Sequence, residues 1–240
     1  MVTRLVPVDY FVTLYIALYF ISPYINKIVI GYDNKEWKKL LFISMTFLSF
    51  LPIASDILTE VTNKQWLGSN TIGLGGQFGH TLINFVLVYI IGGYLSFTKY
   101  VIVSKKKLLF IISVCSLILI GWQYASIYVF HSQNGAWSSY YNPIVLILAA
   151  SIIKFFGSID IKSVIINKLA GAAFSCYLLK NVILSRVPIE NIVKQDIIHL
   201  ILYVIIVSIV TYLFSYVFYI VYKTLKNYFS YIIYGNSPNN

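Results

Sequence analysis

Apolar residues in this chain gather into long runs separated by short polar stretches, with little of the alternation that marks strands. The clearest run follows an uncharged, glycine-rich loop (residues 73–79), begins at Thr81 and carries no charge until Lys99. Read as a helix, residues 81–97 cover about 26 Å, close to the hydrocarbon thickness of a bilayer. A helix is also the form in which a single segment satisfies its own backbone hydrogen bonds in lipid. The pattern recurs and predicts spans over residues 10–30, 40–58, 81–97, 108–130, 142–156, 168–186 and 197–222. Pro52 is expected to kink the second span near its outer end. A charged turn (31–39), a polar loop (59–79), a basic turn (99–107) and an uncharged loop (131–140) separate the first five. The expected fold is an all-α polytopic bundle of seven transmembrane helices in a single domain, residues 1–240, without a fixed-period repeat.

Composition sharpens this picture. Hydrophobic residues make up 59% of the chain and charged residues 11%, with a mean hydropathy of +0.79; a soluble domain carries about 25% charged residues. The net charge of +10 does not imply nucleic acid, because the lysines are spread over short loops between apolar runs, as the positive-inside rule demands. Thirteen of the 18 basic residues fall on one set of alternate loops, including Lys35, Lys38, Lys39, Lys105, Lys106, Lys107 and Lys154. That side is expected to be cytoplasmic, which places the N-terminus outside and residues 223–240 inside. An outward N-terminus without a signal peptide implies that something is missing upstream. Cys115 and Cys176 lie inside apolar runs with no CxxC and no clustered histidine, so buried thiols are expected, with no metal site.

Three stretches, in order, resemble the membrane-bound acyltransferase 3 family, the polytopic O-acyltransferases that acetylate bacterial surface polysaccharides. Residues 10–27, YFVTLYIALYFISPYINK, are similar to the family's aromatic span ending in a Ser-Pro-x-Ile-Asn turn. Residues 85–97, FVLVYIIGGYLSF, are similar to its Leu-Tyr-x-Ile-Gly-x-Tyr pattern at the end of a span. Residues 140–179 resemble its Tyr-x-Asn-Pro span, lysine-containing turn and Asn-Lys-Leu-Ala…Tyr-Leu helix. The resemblance implies transfer of an acetyl or other acyl group from acyl-CoA, a donor substrate with no bound cofactor, to a hydroxyl of an exopolysaccharide, capsule or lipid-linked sugar. It implies a bacterial cell membrane as well. The family has ten spans with essential histidine and arginines in the first part. This chain aligns with the later seven, so those groups would lie upstream of Met1, possessed by a longer chain or by a separately encoded N-terminal half, or the chain would be an inactive remnant. Lys180 stands where the family commonly has histidine.

Candidate chemistry is sparse. His80 and Asn84 are one helical turn apart and share a face; they read either as a polar wall of a substrate cavity or as interhelical hydrogen-bonding groups. Lys180 lies about 18 Å along a helix from Lys168, so it reads either as a cavity-facing cation at depth or as a side chain snorkelling outward. Tyr177, Lys180, Asn181 and Leu184 form one stripe that offers two donors and a hydroxyl to an anionic or carbonyl group. The loop glycines lack the GK[ST] ending of a phosphate loop. Gly171 and Ser175, like Gly92 and Gly93, read as helix-packing positions. Asp9, Glu60, Glu190 and Asp196 look scattered near outer boundaries, with no catalytic carboxylate pair. A polytopic transporter or flippase component for lipid-linked sugars is the alternative class, for which Pro52 and Lys180 are the available hints.

Overall fold

The computed structural model describes residues 10–62, 64, 77–98, 103–131, 135–159, 163–184 and 197–234. They form α1 (Tyr10–Val29), α2 (Asn34–Met45), α3 (Leu51–Thr62), α4 (Leu82–Phe97), α5 (Lys105–Tyr128), α6 (Pro143–Gly157), α7 (Val164–Ala170), α8 (Ala173–Leu184) and α9 (Ile197–Tyr234), and no strand occurs among them. Five helical segments are long and apolar enough to cross a membrane: Phe11–Val29, Asn34–Thr62, Lys105–Tyr128, Ala136–Gly157 and Ile198–Tyr228; Leu82–Phe97 is a shorter apolar helix. Among the described residues, thirteen polar side chains are buried against ten apolar ones, while large apolar residues such as Tyr19, Phe42, Leu117 and Phe214 are more than half exposed. That inversion of the soluble pattern is what lipid solvation selects, because the bilayer is itself apolar and polar groups are better satisfied inside.

The predicted boundaries shift for identifiable reasons. The turn expected over 31–39 is shortened, because Asp33 and Glu36 form a reciprocal capping box. The Glu36 amide donates to Asp33 Oδ1 at 2.7 Å and the Asp33 amide donates to Glu36 Oε2 at 3.0 Å, so the helix starts at Asn34. Pro52 is accommodated by one wide π turn, Thr46–Phe50, where the Leu51 amide reaches back to the Thr46 carbonyl. Proline lacks the amide that would bond the residue-48 carbonyl and clashes with it, and the wide turn absorbs both effects. Past the kink, α3 continues to Thr62, into the stretch expected to be loop. The helix expected over 168–186 is two pieces, α7 and α8, meeting at Gly171–Ala172. The last helix runs 38 residues, about 57 Å, through a stretch with no glycine or proline.

The chain divides into two compact units, residues 1–160 and 161–240. In the first, α5 and α6 pack along each other, and α4 packs against α1, α2 and α6. Gly93 permits the close approach of α2: a Cβ there would sit 2.9 Å from the Trp37 ring, which also stacks on Phe97 at 6.0 Å. In the second unit α8 packs on α9. A Cβ at Gly171 would meet the Tyr219 hydroxyl at 2.7 Å, and the Tyr212 hydroxyl donates to the Leu169 carbonyl. The packing role expected for Gly93 and Gly171 is what their surroundings require.

Candidate functional site

One end of the first unit, the end poor in lysine, is built as a polar junction of four segments. The Asn142–Pro143 pair starts α6: Asn142 Oδ1 accepts from the Ile144 amide at 2.9 Å, and Pro143, which has no amide to satisfy, occupies the first helical position. The Asn142 side-chain amide donates to the carbonyls of Ala136 and Trp137 at 3.3 and 3.2 Å, so the fully buried Asn142 also holds the preceding 3₁₀ turn. The Tyr140 amide donates to the Phe78 carbonyl at 2.9 Å, tying this corner to the turn ahead of α4. In that turn Phe78 and Gly79 both adopt left-handed backbone, φ +56° and +87°.

The shared helical face expected for His80 and Asn84 does not form: the Thr81 hydroxyl caps α4 in extended backbone, so His80 lies in the turn ahead of the helix and Asn84 in its first turn. Asn84 is buried, and its side-chain amide donates to the Gly79 carbonyl at 3.1 Å while the Thr81 hydroxyl caps the Asn84 amide at 3.3 Å. Asn84 therefore fixes the turn, although its Oδ1 meets no donor among the described residues. The His80 ring packs edge-on to Tyr140 at 5.0 Å. Partial burial removes water from the imidazolium and holds the His80 pKa below its ordinary 6.5.

Two further groups, Asp56 and Glu60, turn this corner into a candidate site. They are four residues apart on α3 and only 1% and 2% exposed. The Tyr141 hydroxyl donates to Asp56 Oδ2. Glu60 Oε2 accepts from Trp122 Nε1 at 3.1 Å and from the Ser126 hydroxyl at 3.3 Å, both on α5. Glu60 Oε1, equally buried, meets no donor among the described residues. α3, α5 and the 136–142 corner thus meet at two carboxylates that bond Trp122, Ser126 and Tyr141, and the 77–84 turn is tied to that corner through Tyr140. Carboxylates beside aromatic faces can accept from the hydroxyls of a sugar and cover its apolar face; Glu60 Oε1 is fully buried, so such a donor reaches it only through movement of the packed junction.

Glu60 is thus not the isolated boundary residue the linear pattern implies. The signal was present as Asp56-Ile-Leu-Thr-Glu60, two carboxylates at helical spacing within an apolar helix; the expected helix end at 58 had cut the pair. The other expected residues lie in the second unit. Tyr177 is half-buried on α8, and α8 includes positions 180 and 181, but the side chains of Lys180 and Asn181 lie outside the described residues. No group of three or more histidine, cysteine, aspartate or glutamate side chains able to hold a metal occurs among the described residues.

These features define a helical protein of membrane type with a buried carboxylate and aromatic junction in one unit. No protein-family model, curated protein or solved structure matches the chain.

Proposed function

We propose that the chain is the later part of a polytopic membrane O-acyltransferase, passing an acetyl or other acyl group from acyl-CoA to a hydroxyl of a surface polysaccharide or lipid-linked sugar. In this reading seven segments cross the membrane with the lysine-rich side cytoplasmic; α4 and the α7–α8 pair are the short crossings. The observation that carries the reading is the coincidence of the resembling stretches with the joints that matter physically. In the Tyr-x-Asn-Pro stretch the Tyr140 amide holds the Phe78 carbonyl, and Asn142 caps α6 while holding the 3₁₀ turn before it; in the Ile-Gly-x-Tyr stretch the motif glycine is Gly92, and the close approach to Trp37 is made by its neighbour Gly93. The junction around Glu60 is then the acceptor-binding part, which must part to bring the unpaired Glu60 oxygen onto a sugar hydroxyl. The general base and the arginines that the resemblance implies come from upstream spans, in the same polypeptide or a separate one.

The test is alkali-releasable acetate on purified surface polysaccharide from the parent strain, a deletion, and the deletion carrying residues 1–240 with or without an upstream segment. Loss of acetate in the deletion, with return only when His- and Arg-bearing upstream spans are present, supports the reading. Unchanged acetate in the deletion refutes it. One observation favours a second reading, a transporter or flippase component for lipid-linked sugars: the π turn before Pro52 breaks a helix that carries two buried carboxylates. That reading predicts less polysaccharide at the surface with the acetate per sugar unchanged.

A further inference from the structure

The opposite, lysine-bearing end of the first unit holds a cavity of about 750 Å³ between the end of α4, the start of α5 and the end of α6. Its walls divide by chemistry. Leu95, Leu108 and Ile153 line it with hydrocarbon, and Ile153 is 61% exposed; Lys105, Lys154 and Ser104 supply the polar wall. Lys154 is half-buried, and its Nζ reaches the Thr98 hydroxyl at 3.3 Å and the Thr98 carbonyl at 3.5 Å, with no carboxylate partner among the described residues. The charges at the start of α5 run against helix stability. Lys105, Lys106 and Lys107 occupy its first turn with no acidic residue among them, where the positive end of the helix dipole disfavours cations. An anion in the cavity would relieve this repulsion, using the Ser104 hydroxyl and both lysines, while an attached hydrocarbon chain would follow Leu95, Leu108 and Ile153 outward.

We propose that this cavity binds the phosphate headgroup of an anionic phospholipid from the lysine-rich leaflet. Two lysines framing a half-apolar pocket at a helix end match a phosphodiester carrying acyl chains better than they match a fully hydrated anion. The proposal does not depend on the chain being an acyltransferase.

The experiment uses the full chain purified in dodecyl maltoside, titrated with phosphatidylglycerol or phosphatidylcholine, with binding read by native mass spectrometry and by thermal shift. Phosphatidylglycerol should bind and raise Tm, and phosphatidylcholine should do neither. Lys105→Met and Lys154→Met should each weaken phosphatidylglycerol about fivefold, and the pair about thirtyfold, at about 1 kcal/mol per lysine. Lys38→Met/Lys39→Met, two exposed charges on α2 outside the cavity, should leave binding unchanged. Lys105 is exposed, so its variant keeps the test valid even if Lys154→Met misfolds; Lys154→Arg should retain affinity. Equal binding of the two lipids, or equal loss in the Lys38/Lys39 control, would overturn the proposal. Displacement of phosphatidylglycerol by coenzyme A but not by phosphatidic acid would also overturn it, by assigning the cavity to a soluble phosphate ester.

Discussion

Replacing Gly79 by alanine tests whether the lysine-poor corner is the rigid joint that positions the carboxylates. Two costs act together. The backbone there has φ +87°, and forcing an L side chain into left-handed backbone costs about 1–2 kcal/mol. The new Cβ would also lie 2.9 Å from Tyr140 Cβ and 3.2 Å from both Asn84 Nδ2 and Tyr141 Cδ1. Tyr140 and Tyr141 are held through the Phe78 and Asp56 hydrogen bonds, so the contact cannot relax by a rotamer change alone, and overpacking of this kind adds about 1–3 kcal/mol. The sum is about 2–5 kcal/mol, which for a chain of this size lowers Tm by about 4–20 °C. Cys115 provides the readout: it is buried on α5, and labelling by a thiol-reactive fluorophore in detergent reports its exposure on heating in a Cys176→Ser background. Gly121→Ala is the matched control. It sits within α5 with nothing within 4 Å of the added Cβ, and alanine there should stabilise by about 0.5–1 kcal/mol. Equal Tm changes of the same sign in the two variants would refute the argument.

Other consequences follow from the same geometry. Tyr141→Phe leaves the buried Asp56 without that donor and should cost about 1.5–3 kcal/mol; in a double-mutant cycle with Asp56→Ala, a coupling below about 0.5 kcal/mol would show that the two side chains do not interact. Because partial burial lowers the His80 pKa, the unfolded chain takes up its proton first as pH falls, so the His80 contribution is intact above pH 6.5 and declines as pH drops below it toward the lowered folded value. Tm measured from pH 7.5 to 5 should show this slope, and His80→Gln should flatten it; an unchanged slope would exclude His80 as its source. On the proposed acyltransferase reading, Glu60→Gln should lower polysaccharide acetate in the strain while leaving insertion and Cys115 labelling close to normal, whereas full acetate would remove Glu60 from the proposed acceptor site. Gly171→Ala should destabilise the α8–α9 pair by about 1–3 kcal/mol, and adding Tyr219→Leu should recover much of the loss by removing the ring it meets; no recovery would argue against that contact.

Much of the architecture was legible in the linear pattern because lipid imposes a simple rule: uncharged runs become helices, and polar stretches join them. The positions of α1, α4, α5, α6 and α9 follow from it. Their ends do not, because ends are set by local chemistry that hydropathy does not weigh. The Asp33–Glu36 capping box pulled α2 through four charged residues, and the lack of glycine or proline carried α9 to Tyr234. For the candidate site, sequence singled out His80 and Asn84 but put them on one helical face, which the extended Thr81 cap between them breaks, and it supplied Asn142–Pro143 as part of a resembling motif. It could not show that Asn142 caps α6 while also holding residues 136 and 137, or that Tyr141 reaches Asp56 across 85 positions. Hydropathy is a property of neighbours along the chain, whereas the partners of a buried carboxylate are chosen by which helices pack together. Asp56 and Glu60 read as interruptions of an apolar run until α5 and the Tyr141 corner are laid against α3; only then do they become the centre of the junction.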